Sequence, residues 1–175
     1  HAGYLLVPIV AGTARGGGAV MFYLMTYAVT TLGAFAVVIA LGAKGEPNES
    51  IDDYEGLSER RPLLAGAMAL FMLSLTGIPP LAGFAGKLYL IEAAVKAGYY
   101  GLAVIAVLNS AIAAYYYLGV IIAMYMKEPV KPEVEREPRP YLAFSLVVAV
   151  AGTILFGIFP SSVLDFARAS FAAMH

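Results

Sequence analysis

The stretch Leu73-Ser-Leu-Thr-Gly-Ile-Pro-Pro-Leu-Ala-Gly-Phe-Ala-Gly-Lys87-Leu-Tyr-Leu90 decides how this chain folds. A hydrophobic segment is interrupted by Gly77, Pro79, Pro80, Gly83 and Gly86, and the interruption runs into a single lysine, Lys87. In hydrocarbon, backbone groups freed by Gly and Pro need partners inside the protein, so such a break belongs where it is buried or lines a wet cavity. An ionisable residue at that depth is costly and marks an ion or proton path. A broken helix beside a charge is a recurrent construction of transporter sites.

The rest of the chain agrees with a membrane setting. Its 175 residues are 61% hydrophobic and only 13% charged, with a mean hydropathy of +0.79; soluble domains carry about 25% charged residues. The apolar residues fall in long runs, which predicts an all-α, polytopic transmembrane helical bundle with the lipid bilayer as a partner. The absence of cysteine excludes disulfides and thiolate-held iron–sulfur clusters. Two histidines at opposite ends make no metal or haem site, and a formal charge of −1 gives no argument for nucleic acid. The opening His1-Ala-Gly-Tyr-Leu-Leu-Val-Pro-Ile-Val-Ala-Gly12 is apolar from its second residue and has no initiator Met. It reads as the tail of a helix cut in the middle, so the chain is expected to be the C-terminal part of a longer protein.

Five membrane segments are expected within a single transmembrane unit: a partial one at 1–12, then 19–43, 62–98 broken at 77–86, 99–126 and 141–159. Residues 160–175 form a tail whose Leu164, Phe166, Ala167 and Phe171 predict a short interfacial helix. Lys44, Arg60, Arg61, Lys127, Lys131, Arg136 and Arg139 lie in the loops on one side, against Arg15, Lys96 and Arg168 on the other. The positive-inside rule makes the first side cytoplasmic and turns the C-terminus outward.

Segment 62–98 would be roughly 55 Å long as a straight helix, far more than a hydrocarbon core of roughly 30 Å, so the break must shorten it. Lys87 lies 11 residues from Gly98, roughly 16 Å and near the midplane. Similar counts place His1, Tyr27 and Asn109 on the order of 12–17 Å from their own ends. Tyr23, Thr26, Tyr27 and Thr30 share one helix face by their spacing of three and four. A polar group at one depth in each of four segments is what a lateral hydrogen-bonded relay requires. Plainer readings exist for several of these residues. Thr and Tyr commonly act as packing or interhelical glue, Asn109 with Ser110 as a helix–helix contact, and Tyr115-Tyr116-Tyr117 as an interfacial aromatic belt. Lys87 differs, because a snorkelling lysine belongs near a helix end. Glu92 with Lys96 and Asp165 with Arg168 read as surface pairs.

The runs His1-Ala-Gly-Tyr4, Gly77-Ile-Pro-Pro-Leu-Ala-Gly-Phe-Ala-Gly-Lys87-Leu-Tyr, Asn109-Ser-Ala-Ile112 and Tyr115-Tyr-Tyr-Leu118 resemble the antiporter-like membrane subunits of proton-pumping NADH:quinone oxidoreductase, respiratory complex I, subunit N among them. The resemblance covers essentially the whole chain. It implies the last five helices of an inverted-repeat fold, in the bacterial inner (plasma) membrane with the C-terminus on the periplasmic side. It makes Lys87 the charged residue of the discontinuous helix, His1 the histidine of the preceding repeat helix, and puts Tyr27 where sister subunits carry histidine. With Thr30 and Asn109 these form the implied proton path. A tyrosine there can relay by hydrogen bonding, but with a pKa of roughly 10 it is a poor charge carrier. Gly119 departs from the family, which often has Arg after the tyrosine run. The expected function is proton translocation coupled to electron transfer from NADH to quinone, with the other membrane-arm subunits as partners. No cofactor is expected in this chain, since NAD, FMN, iron–sulfur clusters and quinone belong to other subunits. A cation/proton antiporter subunit, a membrane-bound hydrogenase or formate-lyase subunit, and a purely structural membrane module are the alternatives.

Overall fold

The computed structural model describes residues 1–12, 14–42, 50–129 and 140–172. Helix α1 (Ala2–Ala11) stops at Gly12, whose φ of 61° closes the end with a bond to the Ile9 carbonyl. Helix α2 (Ala14–Leu41) begins five residues before the expected start and, at about 42 Å, is the longest element. Helices α6 (Tyr100–Met126) and α7 (Pro140–Ile158) are likewise long and apolar enough to cross a membrane. Helix α8 (Pro160–Ala172) follows α7 after a single residue.

The long third segment is two helices of 15 residues, α4 (Pro62–Thr76) and α5 (Ala82–Lys96). Pro62 opens α4 at a position whose N–H has no helical partner in any case. Gly77, at φ 94°, ends α4: its N–H reaches the Ser74 carbonyl and the Ile78 N–H reaches Leu73, the paired bonds of a glycine-terminated helix. Pro79 and Pro80 then bar continuation, and α5 resumes at Ala82. The break is therefore shorter than 77–86. Gly83 and Gly86 are helical, and their lack of a side chain serves packing instead. A Cβ on Gly83 would run into the Ser74 carbonyl, and one on Gly86 would stand 2.8 Å from the Tyr23 ring. The start of α5 thus lies alongside the end of α4, which removes the excess length.

Helix α2 is the hub, packed against α4, α5, α7 and α8. Lipid is as apolar as leucine, so close fit rather than water exclusion holds such helices together, and small residues permit it. Gly33 lies under the Phe71 ring, Gly152 against Val29, and Gly157 of α7 against the backbone of Pro80 and Leu81 at the break. Val37, Phe71 and Met124 are fully buried in one cluster; Phe22, Ala85, Leu164 and Ala167 form another. Helix α8 contributes Leu164 and Ala167 to that cluster while Phe166 points away, 66% exposed. Outward residues such as Leu63, Leu32, Phe144 and Val147 are large, apolar and exposed, as a lipid-facing surface requires.

Part of the expected loop 44–61 is ordered. Ser50 and Asp53 form a capping box on the 3-10 turn Ile51–Tyr54, and α3 (Leu57–Arg60) follows. The Gly56 N–H donates to the Ala123 carbonyl, and Lys127 pairs with Glu55 at 2.5 Å, fixing this segment to the end of α6. Arg60, Arg61 and Lys127 share this face of the bundle, while α8 packs on the start of α2 at the other. Lys44, Lys131, Arg136 and Arg139 lie outside the described residues, as does the side chain of Arg15.

Candidate functional site

Lys87 sits in the second turn of α5 and is 4% exposed. The last carbonyls of any helix lack intrahelical partners, and α4 ends inside the bundle. The Lys87 ammonium supplies the missing donors, to the Leu75 carbonyl at 2.9 Å and the Thr76 carbonyl at 3.0 Å. A cation there also meets the negative end of the α4 dipole. Gly77 makes room for the lysine stem, since a Cβ would lie 3.2 Å from Lys87 Cδ. The ammonium stands 5.0 Å from the centre of the Tyr4 ring, a cation–π contact out of water.

Tyr4 passes the connection onward. Its hydroxyl donates to the Ala106 carbonyl at 2.8 Å and lies 2.7 Å from Ser110 Oγ, which ties α1 to α6. Its ring centroid is 6.1 Å from the His1 imidazole. His1 is bonded at both nitrogens: Nδ1 to the Tyr23 hydroxyl at 2.6 Å and Nε2 to the Tyr117 hydroxyl at 3.0 Å. Tyr27 stacks on the same ring at 5.0 Å and 15°. Lys87, Tyr4, His1, Tyr23, Tyr27 and Tyr117 thus form one continuous cluster drawn from four helices.

The polar stripe of α2 continues from it. Thr26 Oγ1 donates to the Tyr23 carbonyl and Thr30 Oγ1 to the Thr26 carbonyl, so both hydroxyls turn back on their own helix. Thr30 Oγ1 also lies 3.5 Å from Ser74 Oγ and 3.5 Å from Thr153 Oγ1. Ser74 Oγ in turn accepts the Gly83 N–H at 3.0 Å. A cavity of about 10 Å³ lies between His1 and Tyr27 on one side and Thr30, Ser74 and Gly83 on the other, about the volume of one water.

Two larger clefts reach the cluster. One of about 350 Å³ runs from Ser50 and Tyr54 past Thr31 to Tyr27 and Tyr117. Thr31 Oγ1 is buried there without a protein partner. The other, about 310 Å³, opens between α1 and α6 beside His1 and Tyr4, with Asn109 on its wall. Asn109 is exposed in that cleft, and it is its neighbour Ser110 that reaches Tyr4. The structure therefore brings together Lys87, His1, Tyr27 and Thr30, and leaves Asn109 at the rim.

Tyr117 corrects the interfacial-belt reading. Tyr115 and Tyr116 do point outward, at 88% and 51% exposure, but Tyr117 turns in to His1. Tyr4 was legible only as part of a motif; its spacing of three from His1 places both on one face of α1, the signal that could have found it. Gly119 faces open space, where a Cβ would meet nothing within 4 Å. Among the described residues no group of three or more His, Asp or Glu side chains could hold a metal ion.

A helical membrane bundle whose broken helix buries a lysine against its own carbonyl end defines an antiporter-like membrane protein. The family model described as NADH:quinone oxidoreductase/Mrp antiporter, TM matches residues 1–113, and the chain belongs to that family. Curated relatives include NADH-quinone oxidoreductase subunit N from Trichlorobacter lovleyi, 51% identical over 96% of this chain and 34% of the relative. NADH-quinone oxidoreductase subunit N 1 from Solibacter usitatus is 46% identical over 98% of this chain and 36% of the relative. A chain of Thermus thermophilus respiratory complex I with bound aureothin superimposes with a TM-score of 0.79 at 37% identity, covering 94% of this chain and 37% of that one. The Mrp complex from Dietzia sp. gives a TM-score of 0.81 at 22% identity, covering 97% of this chain and 40% of that one, and shares the fold. The chain spans about a third of the length of these curated relatives, 34% and 36%.

Proposed function

We propose that this chain contributes a proton-carrying part of a membrane subunit in a proton-translocating NADH:quinone oxidoreductase, a subunit without a redox centre of its own. The observation that carries the reading is the Lys87 ammonium, buried at the helix break and joined through Tyr4 to a histidine bonded at both nitrogens. Lys87 alternates between charged and neutral forms. When charged it caps the Leu75 and Thr76 carbonyls with two of its three N–H groups; when neutral it keeps two N–H groups for them but loses the charge that meets the end of the α4 dipole. His1 and the hydroxyls of Tyr23, Tyr27 and Thr30 carry protons laterally, with water in the cavity beside Ser74. The cleft from Ser50 to Tyr117 lets water approach from the face that holds Arg60 and Lys127. Asn109 polarises the cleft between α1 and α6.

Electron transfer drives the cycle from elsewhere. NAD, FMN, iron–sulfur clusters and quinone sit in other subunits, and this chain meets neighbouring membrane-arm subunits in the bacterial inner membrane with its C-terminus outward. The names of the relatives at 46–51% identity support this reading over a free-standing antiporter.

The test is Lys87→Met in the parent complex, reconstituted in proteoliposomes. Assembly is retained while proton pumping and NADH:quinone turnover fall together. Wild-type pumping at wild-type turnover would refute the assignment.

A further inference from the structure

The break between α4 and α5 leaves polar backbone at two helix ends inside the bundle, and each end needs partners. The last four carbonyls of α4 are all taken. Leu73 accepts from the N–H groups of Gly77 and Ile78, Ser74 from Gly77, and Leu75 and Thr76 from the Lys87 ammonium. The start of α5 has the opposite need, for acceptors. Its N-cap residue, Leu81, makes no side-chain bond, having no oxygen to offer. Gly83, two residues on, donates instead to Ser74 Oγ at 3.0 Å, in the last turn of α4. This is the bond an N-cap serine makes to its own helix, supplied here by the other half-helix.

We propose that Ser74 and Lys87 form one clasp across the break, in which Ser74 is the positioning residue that keeps the Lys87 ammonium on the α4 carbonyls. Gly83 and Lys87 are four residues apart and share a face of α5. In both bonds the donor belongs to α5 and the acceptor to α4, so both resist the same movement, withdrawal of α5. The Ser74 bond involves no charged group, so it holds while Lys87 changes its protonation. Its direction is set by α2. A serine hydroxyl has one proton to give, and Thr30 Oγ1, 3.5 Å from Ser74 Oγ, has committed its own to the Thr26 carbonyl. Ser74 is therefore the donor of that pair, which leaves its lone pairs to Gly83. Helix α7 closes the clasp from outside: Thr153 Oγ1 lies 3.5 Å from the same Thr30 oxygen, and Gly157 lies against the backbone of Pro80 and Leu81. Ser74, Thr30 and Thr153 are all buried. In its effect on pumping the inference rests on the proton-carrying reading of Lys87; the clasp itself does not.

The experiment uses the parent complex with Ser74→Ala or Ser74→Cys. Each is treated with methyl acetimidate, a small reagent for lysine, and modified peptides are mapped by mass spectrometry with Lys96 and Lys127 as references. Amide hydrogen exchange at Gly83 is followed in the same preparations. In Ser74→Ala, Lys87 labelling and Gly83 exchange rise together, by roughly twofold to twelvefold, the equivalent of one hydrogen bond. In Ser74→Cys, whose sulfur is a weak acceptor, both rise by less, and this variant alone decides if Ser74→Ala does not assemble. Met124→Ala, a truncation in the buried cluster near Lys127, weakens the bundle without that local rise. Lys87 labelling that stays at the wild-type rate in the Ser74 variants, or that rises as much in Met124→Ala, overturns the proposal. Pumping by Lys87→Met is read separately. Its loss beside unmoved labelling and exchange fails the clasp alone; its persistence beside raised labelling upholds the clasp and fails the proton-carrying reading alone.

Discussion

Replacing Gly83 by alanine tests the way the two half-helices are joined. The added Cβ meets the Ser74 carbonyl, a backbone atom that cannot rotate away, so the start of α5 must withdraw from the end of α4. Overpacking of this kind costs about 1–3 kcal/mol. Withdrawal also breaks the 3.0 Å bond from Gly83 N–H to Ser74 Oγ, worth about 0.5–1.5 kcal/mol. The sum is a destabilisation of about 1.5–4.5 kcal/mol. Lys87 follows one turn later on the same helix, so its hold on Leu75 and Thr76 loosens and pumping falls with stability. Gly86→Ala is milder, because its Cβ meets the Tyr23 ring at 2.8 Å and Thr26 Oγ1 at 3.1 Å, side chains that can yield. Gly66→Ala is neutral, with only the Tyr125 hydroxyl oxygen 4.0 Å away. Thermal and SDS unfolding of the purified parent assembly, with pumping measured on the same samples, give the order. A Gly83→Ala protein as stable and active as Gly66→Ala would refute the account of the break.

Lys87→Met leaves the Leu75 and Thr76 carbonyls without their donors, about 1–3 kcal/mol each, and removes the desolvation of a buried ammonium, itself several kcal/mol. These oppose one another, so unfolding shifts little while pumping is lost. Tyr117→Phe and Tyr23→Phe each remove one hydroxyl from His1; each slows pumping severalfold and lowers stability by no more than one hydrogen bond, about 0.5–1.5 kcal/mol, measured by fluorescence quenching and thermal scanning. At the charged face, the hydrogen bond and charge of Glu55 raise the Lys127 pKa above its ordinary 10.5. A raised lysine pKa adds stability that is present at neutral pH and lost as pH climbs through the raised value. The alkaline limb of stability against pH is therefore shallower in Glu55→Gln, and identical limbs would exclude the linkage.

The break and its lysine were readable because an apolar segment offers few ways to accommodate Gly, two prolines and a charge. Lys87, His1, Tyr27 and Thr30 come together as their depths implied, although α2 starts at Ala14 and sets Tyr27 about 20 Å from that end rather than 12. Depth fixes height along a helix but not direction around it. Asn109 and Ser110 differ by one residue, about 100° of rotation, and only Ser110 faces Tyr4. Tyr117 stands in a run of three tyrosines, and nothing in the run marks which ring turns inward; that depends on α1 lying beside α6 with His1 at its tip. Gly83 and Gly86 read as breakers because close approach of backbone to backbone leaves no separate mark in sequence. The ordered turn at Ile51–Tyr54 was hidden by the polarity of its surroundings, although Ser50 and Asp53 carry the spacing of a capping box.

The bonds at both nitrogens of His1 have a consequence for throughput. A neutral imidazole has one N–H and one bare nitrogen, so at any instant one phenol donates to the ring and the other accepts from it. Taking a proton at Nδ1 and releasing one at Nε2 leaves the ring in the opposite tautomer with no change of charge. The ring is then set for passage in reverse, and a second proton in the original direction must wait for it to be reset. A half-turn about the Cβ–Cγ bond does not do this, because it brings Cδ2 and Cε1 to the places of Nδ1 and Nε2; the Nδ1 proton must leave and another must reach Nε2 through the hydroxyls or water around the ring. Such a link moves protons one at a time, and the rate at which the ring's tautomer is restored sets its ceiling.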